Sequence, residues 1–209
     1  MIGVGQLPQI SLSQRIALAA AHLMGWQVVI AGAVPPKCVI VGAHHTAAFD
    51  FVLTLICRMS TGVPFRFVAK ASLFRGPMGW VMRRLGGIPV ERRTSQSFVA
   101  QTAAMFDQHE TLMIAMSPEG TRDTTTYWRT GFYFTALTAG VPIVLAFADY
   151  RRKVVGLGPV FVPTGDIAAD FDYLRTFYAG VTARHPERQG LVQPRPDIET
   201  QEMPDRESS

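Results

Sequence analysis

Cysteine is scarce in this chain. Cys38 and Cys57 are the only two, each alone in an apolar run. Such a pair gives neither a disulfide framework nor the paired spacing of a metal site, and reads as reduced core thiols of a cytosol-facing protein. Long hydrophobic runs are missing as well. The apolar stretch over residues 12–24 is too short for a membrane span and is broken by His22 and Gln27. No basic region followed by a cleavage site precedes it, so a secretory leader is not expected. No Gly-x-Ser-x-Gly nucleophile elbow is present, so a nucleophile has to arrive with a substrate. Acid is nearly absent from one block. Between Arg58 and Arg93 the bases Arg58, Arg66, Lys70, Arg75, Arg83, Arg84, Arg92 and Arg93 face the single acid Glu91. A block of one sign attracts phosphates, whether on a ligand, a membrane surface or nucleic acid, with a solvated basic face as the plain alternative.

What is present fits one domain with a substantial core: 209 residues, 48% hydrophobic, net charge +4 and mean hydropathy +0.16. Ser11 and Gln14 have capping-box spacing and open a helix over 12–24, amphipathic enough to lie on a membrane or on a sheet. Apolar or alternating runs predict strands at 26–31, 38–43, 65–70, 88–93, 111–116, 142–148 and 154–162. Helical periodicity predicts helices at 49–59, 76–85, 95–108, 131–139 and 167–182. Alternation of this kind predicts an α/β layered sandwich, a mostly parallel or mixed central sheet flanked by helices. Pro89 marks its strand as an edge or an irregular one. The expected divisions are an amphipathic helix at 1–25, the α/β domain at 26–183 and a polar, disordered tail at 184–209.

Two clusters carry chemistry. The first follows the strand Val39-Ile40-Val41-Gly42-Ala43, where His44 and His45 are succeeded by Asp50. Open α/β sheets present reactive groups at the carboxyl ends of their strands. There the carboxylate of Asp50 can fix one nitrogen of His45 and leave the other as a base. Alone, a histidine followed five positions later by an aspartate is a weak signal, and a helix-capping aspartate beside a structural histidine accounts for it equally well. The second cluster, Glu119-Gly120-Thr121-Arg122, also follows a buried strand. Gly120 allows a tight turn or close backbone approach, Thr121 offers a hydroxyl and Arg122 a planar fork for two phosphate oxygens. A surface turn carrying an Arg–Glu pair is the plain alternative.

Taken together and in order, His45 to Asp50, Gly86-Gly87-Ile88-Pro89-Val90-Glu91-Arg92, Pro118 to Arg122, and Val141-Pro142-Ile143-Val144 resemble the four-block pattern of the glycerophospholipid acyltransferases, the 1-acylglycerol-3-phosphate acyltransferase family, in a short branch without long transmembrane segments. The resemblance covers residues 26–161. It implies His45 as general base and Asp50 as its orienting group. It also implies Arg122 and Arg92 as contacts to the acceptor phosphate, with Glu119, Gly120 and Thr121 shaping the site. It implies acyl-CoA or acyl-carrier protein as co-substrate, a lysophospholipid acceptor, no metal or organic cofactor, and peripheral work on an anionic membrane at its cytosolic face. Two departures stand out. His44 occupies a place where asparagine is usual, and Asp123 one where a small hydroxyl residue is frequent. Asp123 next to Arg122 leaves a non-glycerolipid hydroxyl acceptor open.

Other classes explain less. A non-catalytic module docking on anionic membranes accounts for the basic block and the first helix but not for the two clusters. A metal site is disfavoured because neighbours in extended backbone point to opposite faces, so His44 and His45 do not share an ion. Nucleic acid is not expected, since Phe65, Phe67, Phe74 and Trp80 have core-like spacing. Met78, Met82, Met113 and Met116 read as core, and His109 and His185 as surface. Lys70 and Arg129 read as solvated side chains in preference to phosphate contacts.

Overall fold

The computed structural model describes residues 10–90, 95–121 and 123–195. Seven strands form one sheet in the order β1-β7-β6-β2-β5-β3-β4. They are β1 (Gln27–Ile30), β2 (Lys37–Ala43), β3 (Arg66–Lys70), β4 (Gly87–Val90), β5 (Leu112–Met116), β6 (Ile143–Asp149) and β7 (Val154–Phe161). Every pairing is parallel except the β6–β7 hairpin. The sheet is therefore mixed, and the fold is the single α/β layered domain that the alternation predicts. β4 is an edge strand, the first of the two alternatives that Pro89 left open. Part of its predicted length, Glu91 to Arg93, lies outside the described residues.

Alternation along β2 sorts the core into two layers. Val39, Val41 and Ala43 pack with Trp128, Phe132, Phe171 and Tyr178, beneath α4 (Ser95–Asp107), α5 (Gly131–Ala139) and α6 (Ile167–Tyr178). Cys38 and Ile40 pack with Ala21, Leu53 and Cys57, beneath α1 (Leu12–Leu23) and α2 (Phe49–Thr61). On this second face Phe67 meets Phe51 of α2 edge-on at 5.1 Å. There the 3₁₀ turn Ala71–Phe74 and α3 (Gly76–Arg84) complete the layer. The capping box at α1 forms as its spacing predicts. Ser11 N–H donates to Gln14 Oε1 at 2.9 Å, and Gln14 N–H to Ser11 Oγ at 3.3 Å. Both cysteines are free and buried, and burial pushes each thiol up to about 12.

Three expectations change. Trp80 is 68% exposed and Met78 58%, so neither is core. Residues 184–195 are not the disordered tail expected there. They contain the 3₁₀ turn Pro186–Arg188 and are pinned to the domain. His185 N–H donates to Thr46 Oγ1 at 3.2 Å, and Trp128 N–H to the carbonyl of Gln193 at 2.9 Å. A run with no apolar periodicity gave no signal for this, because side-chain and backbone hydrogen bonds hold it in place.

Candidate active site

The register of the sheet brings the two sequence clusters together. Val41 of β2 stands opposite Met116 of β5 and Leu145 of β6. The carboxyl ends of β6, β2 and β5 therefore lie side by side, as do the segments that leave them. β2 delivers His44 and His45, β5 delivers Ser117 to Thr121, and β6 delivers Tyr150.

His44 and His45 part company at the strand end. His44 is buried between the rings of Tyr178 and Trp128, with centroids 5.8 and 6.3 Å away. Its Nδ1 lies 3.6 Å from Glu119 Oε1. The side chain of His45 is 29% exposed, and its Nδ1 stands 3.8 Å from Asp50 Oδ2. That distance is an ion-pair approach and is longer than a formed hydrogen bond.

Asp50 is the second residue of α2, not its cap. Ala48 holds the cap position without a side-chain bond. The carboxylate instead folds the preceding loop back on itself. Oδ2 accepts Thr46 N–H at 2.8 Å and Ala47 N–H at 2.7 Å, while Oδ1 accepts the hydroxyl of Tyr150. Burial, the hydrogen bond to Asp50 and the charge of that carboxylate push the Tyr150 phenol well above its usual range, with the charge of Arg184 opposing them. Tyr150 is the residue that sequence reasoning missed. Its signal was its position directly after a buried strand, where open sheets place functional groups.

Glu119 is buried and faces inward. Its Oε1 accepts His45 N–H at 3.3 Å and its Oε2 accepts the Ser117 hydroxyl at 2.8 Å. The glutamate therefore braces the backbone of His45. Gly120 has φ +66°, a conformation that favours glycine, and a Cβ there would lie 2.6 Å from Nε of the Arg129 side chain, which would have to shift. Thr121 Oγ1 donates to Asp123 Oδ2 at 3.4 Å and accepts Asp123 N–H at 3.3 Å. Arg92 and Arg122, the expected phosphate contacts, lie outside the described residues.

His45 opens on two spaces of different chemistry, and Asp50 on the first of them. Beneath α2 is a cavity of about 440 Å³, within the usual size of a small-molecule site. Gly42, Ala115, Ala146 and Ala148 line its sheet side, and Leu53 and Cys57 its helix side. It exists because those sheet positions carry almost no side chain. At Gly42 a Cβ would meet no atom within 4 Å. On the other side His45 borders an open cleft of about 1130 Å³, with Thr46, Ser117, Thr121, Lys70 and Arg184 along it.

A family model described as Acyltransferase matches residues 27–146, more than half of the chain. The chain belongs to the acyltransferase family. The matched region of this acyltransferase runs from β1 into β6 and contains His45, Asp50 and Glu119 to Arg122. No curated protein matches the sequence. Among solved structures, a 1-acyl-sn-glycerophosphate (LPA) acyltransferase, PlsC, from Thermotoga maritima is similar at 17% identity, with a TM-score of 0.49 over 73% of this chain and 68% of that chain.

Proposed function

We propose that this acyltransferase moves a fatty acyl group from acyl-CoA or acyl-carrier protein to a hydroxyl of a lysophospholipid of the 1-acylglycerol-3-phosphate kind. His45 is the general base in this reading and Asp50 its orienting carboxylate. The observation that carries it is the position of His45 where an apolar cavity meets a polar cleft. An acyl chain in the cavity brings its thioester carbonyl to the imidazole, and the acceptor hydroxyl approaches from the cleft.

The chemistry follows from that placement. The imidazole nitrogen that faces away from Asp50 removes the hydroxyl proton as oxygen attacks the thioester carbon, and Asp50 stabilises the imidazolium. The tetrahedral intermediate then collapses. The carbon–sulfur bond breaks, and the proton passes from the imidazolium to the departing thiolate. The 3.8 Å separation of His45 and Asp50 suits this role, because catalytic hydrogen bonds are often long before substrate binds. Glu119 acts by positioning, through its bond to the backbone of His45. Arg122 and Arg92 hold the acceptor phosphate. No metal or organic cofactor enters the scheme.

The protein works peripherally at the cytosolic face of an anionic membrane in this reading. No described helix is long and apolar enough to cross a bilayer. The helical layer formed by α1, α2 and α3 nonetheless exposes Leu12, Ile16, Leu23, Met78 and Trp80. The module that only docks on membranes is the weaker reading, because docking has no use for a histidine at the mouth of an internal cavity.

Mass spectrometry of the lipids formed from a long-chain acyl-CoA and lysophosphatidic acid tests the acceptor assignment. A diacylated product is expected. Acylation confined to hydroxyl lipids without phosphate would contradict it.

A further inference from the structure

The segment after α6 carries charges that the function above does not use. Residues 184–195 lie outside the region matched by the family model and form a strap whose first part, Arg184, His185 and Arg188, lines the cleft. Besides the bonds from His185 and Trp128, Gln189 Nε2 donates to the carbonyl of Val181 at 3.1 Å and Gln193 Nε2 to that of Thr126 at 3.2 Å. The strap brings Arg184 and Arg188 to the wall of the cleft that also contains His45. The Arg184 guanidinium lies over the ring of Phe49, 5.6 Å from its centroid. Arg188 is exposed and has no carboxylate partner among the described residues. Lys70, from the end of β3, lines the same cleft, and among the described lining residues Asp123 is the one carboxylate.

Three cations from chain segments more than a hundred positions apart thus converge on one cleft, which Thr46, Ser117 and Thr121 also line. A solvated basic face needs no such convergence. A guanidinium fork and an ammonium beside hydroxyl groups match the oxygens of a phosphate ester.

We propose that the strap forms a phosphate-ester site, in which Arg184 and Arg188, with Lys70, bind the phosphate of a substrate whose reacting end reaches His45. The assignment rests on the acyl-transfer reading of the cleft. Two sources offer that chemistry, the phosphates of the acyl donor's carrier and the phosphate of the acceptor, and binding measurements separate them.

The test titrates the full chain with CoA and, separately, with sn-glycerol 3-phosphate, and compares wild type with Arg188→Glu, Arg188→Lys and, as a remote control, Arg15→Glu on α1. Loss of a charge-assisted contact predicts a Kd raised about tenfold or more for Arg188→Glu. Partial retention is expected for Arg188→Lys and no change for Arg15→Glu. An effect on CoA assigns the site to the donor, and one on sn-glycerol 3-phosphate assigns it to the acceptor. If wild type binds neither probe, or Arg188→Glu binds both as wild type does, the site is refuted. Binding is read without turnover. A protein that binds CoA through Arg188 but transfers no acyl group therefore sinks the acyl-transfer reading alone. One that transfers acyl groups with binding indifferent to Arg188 sinks the strap site alone.

Discussion

Asp50 serves two tasks with one carboxylate. Its bonds from Thr46 and Ala47 shape the turn that carries His45, and its Oδ2 also faces the imidazole. Tyr150 anchors the other oxygen and so determines where the first one points. Tyr150→Phe should lower kcat about tenfold, the loss of one bond to a charged group, with the melting temperature little changed. Steady-state kinetics alongside thermal denaturation checks this. A large loss of stability with kcat unchanged would make Tyr150 a packing residue only. The His–Asp pair was legible in the sequence because its spacing across a strand end is local. Tyr150 was not, because it lies a hundred positions from Asp50 and only the β2–β6 pairing brings them together. The departure at His44 has a physical form: its ring fills an aromatic pocket beside Glu119 while His45 keeps the exposed place.

At the scale of elements, β2 and α2 do more than carry the dyad, since the cavity between them depends on small residues at the ends of three strands. A side chain at Gly42 would enter open space without strain at a strand position. Gly42→Leu should therefore fold normally and shift donor preference toward shorter acyl chains. Two displaced methylenes correspond to about 1.6 kcal/mol, or roughly fifteenfold in selectivity. Competition between acyl-CoA donors of graded length measures the shift, and an unchanged length profile would place the chain elsewhere. The alternation of strands and helices was readable from periodicity, and Pro89 narrowed β4 to an edge or irregular strand. The cavity was not readable, since Gly42, Ala115, Ala146 and Ala148 look in sequence like ordinary small core residues. The strap was missed for a related reason: its order comes from polar contacts that leave no periodic trace.

Seen whole, the molecule is lopsided. The α1, α2 and α3 layer exposes large apolar side chains on every helix. In the opposite layer Tyr173 is the exposed large hydrophobic among the described residues of its helices. Arg15, Arg58, Arg83 and Arg84 belong to the apolar layer, whose helices carry Asp50, buried, as their acid. Apolar insertion and positive charge on one face suit an anionic bilayer. Trp80→Ala combined with Arg83→Glu and Arg84→Glu should weaken co-sedimentation with phosphatidylglycerol vesicles at least tenfold, at about 1 kcal/mol per basic residue. Wild-type binding should fall as salt rises. Binding unaffected by both salt and these substitutions would overturn the assignment of this face. The sequence pointed to the basic block but placed Trp80 and Met78 in the core, because helical spacing does not reveal which side of a helix is left uncovered.

The most direct test of acyl transfer through His45 is the release of free thiol from a long-chain acyl-CoA, with and without lysophosphatidic acid, in wild type and His45→Ala. The account predicts acceptor-dependent release in wild type and a fall of about 10²- to 10⁴-fold in the variant, the usual worth of a general base, with the fold intact. Release that survives in His45→Ala at the wild-type rate would contradict it.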